Sequence, residues 1–123
     1  MSKDPLDDYV QNWEVEIRRG VIQLFVLHVL SKQDQNGKAI TDEIFEMTKG
    51  RLEVPIGTIY PLLKRFGEAL FIETYQIEGE DKRLKNYTLT NLGREYYQRI
   101  LEKWLRYSIV LSDALHKPKE ENL

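Results

Sequence analysis

The segment Gly57-Thr58-Ile59-Tyr60-Pro61-Leu62-Leu63-Lys64-Arg65-Phe66 decides the reading of the chain. Plotted at about 100° per residue, it divides into two faces. Ile59, Leu62, Leu63, Phe66 and, one turn on, Leu70 share one side and form a candidate core stripe. Gly57, Thr58, Pro61, Lys64, Arg65 and Glu68 share the other, with Tyr60 at the border. The polar face is small at its N-terminal end and basic further along, as a helix that enters a DNA groove needs to be. An amphipathic helix whose charges merely meet solvent has the same pattern, so the neighbours must decide. Pro61 falls near the first turn, where a missing N–H is tolerated, and the helix is expected from about residue 56 or 57 to 69.

Upstream, residues 12–31 predict a helix. Trp13, Ile17, Val21, Leu24 and His28 follow one face, and Ile22, Phe25, Val26 and Val29 widen the stripe until it is apolar nearly all round. Such a helix is covered on more than one side, and Trp13 is read as one of its packing residues. Asn36-Gly37 marks a turn, residues 38–48 a short helix, and Gly50 its end. Downstream, residues 71–77 and 84–90 are strand candidates joined by Glu78-Gly79-Glu80-Asp81, a turn-like tetrapeptide, which makes a β-hairpin. Thr90 is a candidate N-cap for a last helix over residues 91–116. The fold class expected is mainly α with a β-hairpin wing: a winged helix-turn-helix plus a long C-terminal dimerisation helix. The domain plan is an N-terminal arm over 1–12, the winged domain over 13–90, the dimerisation helix over 91–116 and a disordered tail over 117–123.

The chain has 123 residues, 41% of them apolar, so one globular domain is expected and wholesale disorder is not. It has no cysteine, which excludes disulfides and thiolate zinc sites. No apolar run is long enough for a bilayer and no signal-peptide core follows the N-terminus, so a cytoplasmic location without membrane contact is expected. The net charge is −2, but it is unevenly spread. Residues 1–16 sum to −4 and residues 49–65 to +3, while Lys82, Arg83 and Lys85 cluster after the hairpin turn with no acid among residues 82–85. Local basic faces on an acidic chain suit contact with one surface of a duplex. Thr58, Tyr60, Pro61, Lys64 and Arg65 on the third helix, with Lys82, Arg83 and Lys85 on the wing, are the candidate DNA-binding residues.

Catalysis has little support. His28 and His116 lie far apart, and Glu43 and Glu46 share a helix face as solvated carboxylates do. No phosphate loop, dinucleotide fingerprint or histidine pair at metal-binding spacing is present. Neither an enzyme, a cofactor nor a metal is expected.

The last helix, about 26 residues at about 1.5 Å each, would run roughly 39 Å. A single domain of this size is roughly 35 Å across, so the helix would project. Tyr97, Leu101, Trp104, Ser108, Leu111 and Leu115 recur in a heptad-like seam. A homodimer is expected, with Ile22, Phe25, Val29, Tyr97, Leu101, Trp104, Leu111 and Leu115 at the interface. Two-fold symmetry then calls for a roughly palindromic site on double-stranded DNA.

The quoted segment resembles the G-T-L-Y-P-x-L-x-R-L signature of the PadR-like transcriptional regulators. Tyr87-Thr88-Leu89-Thr90-Asn91-Leu92-Gly93-Arg94 is similar to that family's Y-x-L-T-x-x-G-R segment, and Glu16-Ile17-Arg18-Arg19-Gly20 to its opening helix. The likeness spans about residues 13–105 and, by its short C-terminal part, points to the smaller subfamily with a single C-terminal helix. It implies a dimeric winged-helix repressor, with Trp104 of each subunit placed to sandwich a small aromatic or hydrophobic effector. Two positions depart from the pattern, and the family's frequent basic-aromatic run in the wing is reduced to Arg83-Leu84-Lys85-Asn86-Tyr87. Lys38 stands where the family has an aromatic residue, and Leu70 where it usually has a glycine suited to a left-handed turn. The competing reading is a winged-helix protein-interaction module that no longer binds DNA.

Overall fold

The computed structural model describes residues 4–79 and 84–116. It contains α1 (Asp7–Lys32), β1 (Gln35–Asn36), α2 (Gly37–Met47), α3 (Ile56–Glu68), β2 (Ile72–Tyr75), β3 (Asn86–Leu89) and α4 (Asn91–Leu115). The expected order of three helices, a hairpin and a long helix is therefore present. Lys82, Arg83 and the tail 117–123 lie outside the described residues.

Helix α1 begins earlier than the apolar stripe suggests. Asp4 Oδ1 accepts a hydrogen bond from the Leu6 amide at 2.8 Å, and Asp7 and Asp8 place negative charge in the first turn. Residues 7–12, expected as part of an arm, are consequently helical. Trp13 is 64% exposed rather than packed, because this half of α1 carries none of the helix's buried residues. Those residues, Ile22, Val26, Leu27, Val29 and Leu30, come from the second half and join Ile40 and Ile44 of α2 and Ile59, Leu62, Leu63 and Phe66 of α3. Leu70, placed on the core stripe by periodicity, is 66% exposed, because the helix has ended before it.

The sheet has three strands in the order β1-β3-β2, all antiparallel. The hairpin pairs Ile72 with Leu89 and Tyr75 with Asn86. β1 was not legible in the sequence, since Gln and Asn have weak strand preference. The buried Gln35 side chain donates from Nε2 to Val29 O at 3.2 Å and to Glu43 Oε1 at 2.9 Å, holding the strand against α1 and α2. Asn36 then caps α2, its side chain accepting from the Ala39 amide at 2.8 Å.

Helix α3 ends in a Schellman motif. The Phe71 amide donates to Phe66 O at 2.9 Å and the Leu70 amide to Gly67 O at 3.0 Å, while Leu70 has φ +65°. The turn is thus left-handed, as the family's glycine implied, but here a leucine bears the strain. Helix α2 ends in the same way, with Lys49 at φ +55° and Gly50 following at φ +74°. The left-handed turn after α2 therefore starts one residue before Gly50, the expected stop.

Beyond the Schellman turn the chain is stitched to α4. Thr90 Oγ1 donates to Leu70 O at 2.7 Å and accepts from the Gly93 amide at 3.0 Å, while the Thr90 amide donates to Phe71 O at 3.0 Å. Phe71 stacks on Tyr96 with centroids 4.2 Å apart and planes 10° from parallel, and both rings meet Phe66 edge-on. Arg94 reaches back to Ser31 O at 3.2 Å, near the end of α1. A Cβ added at Gly93 would lie 2.0 Å from the Phe71 carbonyl oxygen.

Gly93→Ala is therefore expected to cost about 3 kcal/mol or more, read as a lowered urea midpoint. Gly67→Ala, whose Cβ would meet nothing within 4 Å, is the control and is expected to be neutral or stabilising. Leu70→Gly removes the left-handed strain from an exposed residue and is expected to stabilise by about 1 kcal/mol in the same titration.

Candidate nucleic-acid interface

Helix α3 owes its two faces to the spacing of its apolar residues. Ile59, Leu62, Leu63 and Phe66 are all at most 4% exposed. Gly57, Thr58, Tyr60, Pro61, Lys64, Arg65 and Glu68 all face outward. The expected division of this helix is therefore realised in full, apart from Leu70. Pro55 precedes the helix in an extended conformation and supplies no side-chain cap, so the first-turn amides have no side-chain acceptor there. With Pro61 in place, the N-terminal half presents a low-relief surface carrying the Thr58 hydroxyl and the Tyr60 phenol.

Tyr60 is held from beneath. Its ring and hydroxyl lie 2.9–3.0 Å from where a Gly37 Cβ would sit. Gly37 thus lets the first turn of α2 approach Tyr60 on the outward face of α3, a role that sequence reasoning missed by reading the residue only as part of a turn. Burial first, and then the nearby Tyr60 hydroxyl, raise the Tyr87 phenol above the usual tyrosine range. Lys38, at the position where the family has an aromatic residue, is exposed and paired with Asp42 at 3.1 Å one turn along its own helix.

Lys85, the wing residue that can be described, is exposed just before β3. Lys64, Arg65 and Lys85 thus all face solvent, two on α3 and one beside the hairpin. Arg18 and Arg19, quoted above only for the opening helix and not among the candidate DNA-binding residues, lie on α1 and line a cleft of about 380 Å³ with Thr58, Pro61 and Arg65. The sequence signal for them was present: an Arg-Arg pair in a first helix whose preceding residues are acidic.

The residues expected at a dimer interface fall into three groups. Ile22 and Val29 are 5% and 0% exposed and belong to the core of their own chain, so their side chains are not open to a second copy. This corrects the assignment: on a helix apolar nearly all round, these two positions fall on the side buried in the chain's own core. Phe25, Tyr97, Leu101 and Trp104 line a second cleft of about 270 Å³ between α1 and α4, where His28 Nδ1 meets the Tyr97 hydroxyl at 2.7 Å. Burial raises the Tyr97 pKa. Leu111 and Leu115, at 53% and 72% exposed, lie on the C-terminal half of α4, which contributes no core residue.

No group of histidine, cysteine, aspartate and glutamate able to hold a metal occurs among the described residues, and no described helix is long and apolar enough to cross a membrane.

This architecture recurs in known proteins. A transcriptional regulator from Clostridium thermocellum is similar with a TM-score of 0.74 and 25% identity, over 81% of this chain and 95% of the other. A PadR family transcription regulator from Clostridium difficile is similar with a TM-score of 0.67 and 25% identity, over 76% and 97%. An uncharacterized protein of Lysinibacillus sphaericus is 27% identical over 90 residues, 72% of this chain and 83% of that one. Residues 26–99, from the core of α1 through α3 and the hairpin into α4, match the transcriptional regulator PadR-like family. That family is one of transcriptional regulators rather than enzymes, and with the helix, the wing and the Thr90–Gly93 junction all falling inside the matched span, this chain belongs to it.

Proposed function

We propose that the protein is a homodimeric, sequence-specific repressor, working in the cytoplasm, that inserts α3 of each subunit into the major groove of a roughly palindromic operator. The observation that carries this reading is the complete division of α3, with its apolar face sealed into the core and Thr58, Tyr60, Pro61, Lys64 and Arg65 all outward. Lys64 contacts phosphate and Arg65 reaches phosphate or a guanine edge. The wing, with Lys85 and the neighbouring Lys82 and Arg83, follows the adjacent backbone.

Pairing is supported by an exposed apolar surface too large for a monomer's ordinary scatter. On α4 it includes Trp104, Leu105, Tyr107, Ile109, Val110, Leu111 and Leu115, and on α1 it includes Tyr9, Val10 and Trp13, with Leu6 just before the helix. A small aromatic effector held at Trp104 would alter the spacing of the two recognition helices and so lower affinity for the operator.

Binding of the protein's own upstream DNA, followed by fluorescence anisotropy over a salt series, tests the reading. Lys64→Ala is expected to weaken binding across sequences and to shallow the slope of log K against log salt by about 0.9. Arg65→Ala is expected to cost about 1–3 kcal/mol at one operator position if it reads a base. Unchanged binding in both variants would remove α3 from the interface, and no salt-sensitive binding by the unmodified protein would favour an interaction module that has lost its DNA. For the dimer, Leu111→Glu is expected to raise the dissociation constant at least about tenfold in sedimentation velocity. A monomeric unmodified protein at micromolar concentration would contradict the pairing.

A further inference from the structure

Resting on the DNA-binding reading, we infer that α1 is itself a DNA-contacting element: Arg18 and Arg19, with Arg65 of α3, form a seat for a backbone phosphate beside the recognition helix. Helix α1 had been assigned only to packing and pairing, and its first residues are acidic. The cleft between it and the N-terminal half of α3 has the opposite character. Three arginines border it, no acidic side chain lines it, and Thr58 adds a hydroxyl at its α3 wall.

The surrounding backbone fits the same ligand. Pro55 gives α3 no side-chain cap; the Thr58 and Ile59 amides donate to Pro55 O at 2.9 and 3.1 Å, and the positive end of the helix dipole lies beside the cleft at Gly57. At Gly57 a Cβ would meet nothing within 4 Å, so the approach is clear. Arg18 is half-buried and donates to Glu53 O at 3.5 Å, which holds its guanidinium between α1 and the connector into α3. Arg19 is exposed and makes no hydrogen bond or ion pair with the other described residues. One arginine is thus positioned by the fold and the next is free to close on a ligand. The guanidinium fork suits a phosphodiester better than an ammonium does. The occupant is a phosphate of the bound duplex rather than a free anion, because the cleft shares Thr58, Pro61 and Arg65 with the face of α3 that enters the groove.

The test measures binding of the full-length protein to two probes, a duplex from its own upstream region and a mixed-sequence duplex of the same length. Each is titrated from low to moderate salt. Arg19→Gln is the primary variant and Arg18→Gln the second, with Arg19→Lys as the charge-preserving control and thermal melting as the check on folding. A phosphate seat predicts that Arg19→Gln weakens both duplexes by the same factor and shallows the salt slope by about 0.9, with its melting temperature unchanged. Arg19→Lys is then expected to retain the slope. A slope unchanged in Arg19→Gln, while Lys64→Ala still shallows it, overturns the seat and leaves the recognition helix intact. If neither duplex binds the unmodified protein in a salt-sensitive manner, the DNA reading fails and the seat with it. Loss of the upstream duplex alone would make Arg19 a base-reading residue and also overturn the proposal.

Discussion

The structure depends on one close approach. Gly93, in the first turn of α4, lies so near the Phe71 carbonyl that a side chain there would stand 2.0 Å from the oxygen. Around that contact, the Thr90 side chain and amide hold both Leu70 O and Phe71 O, and Phe71 stacks on Tyr96. The end of α3, the start of the hairpin and the base of the long helix are therefore one joint. Arg94 extends the joint to the end of α1 through Ser31 O. The joint ties α4 directly to the end of α3, and the Tyr96–Gln23 and Tyr97–His28 hydrogen bonds tie it to α1 as well.

Electrostatics act on a smaller scale. The chain carries more acid than base, yet the outward side of α3 and its neighbouring turn of α1 bring Lys64, Arg65, Arg18 and Arg19 onto adjacent surfaces. Within a Debye length of about 8 Å the local charge matters and the distant acidic residues are screened. The overall sign is therefore a poor guide to what this surface attracts. The salt-bridged pair Lys38–Asp42 shows the converse: a basic residue whose charge is already matched on its own helix.

The long elements were legible because their apolar residues recur at the right period and their ends carry specific chemistry. Thr90 was identified as an N-cap and it caps α4. Leu70 was placed on the core stripe by periodicity, and only the family's glycine implied a left-handed turn there; it is exposed and has φ +65°. Ile59, Leu62, Leu63 and Phe66 were assigned to the core and are buried. β1 was not legible, because two polar residues become a strand only when β3 offers its edge and Gln35 finds Val29 O and Glu43. The early start of α1 was missed because carboxylates, not apolar periodicity, set it.

The sequence by itself determined the order of the four helices and the hairpin, the two faces of α3 and the family, since these rest on local periodicity, caps and short motifs. Only the tertiary structure decided which side of α1 is inside. Ile22 and Val29 went to the core while Phe25, one helical turn from each, was left lining the cleft beside α4. It alone brought Arg18 and Arg19 against Thr58 and Arg65. The physical reason is common to both: a helix apolar on nearly every side carries no internal mark of direction, and residues about 40 positions apart meet only where packing against other elements aligns them.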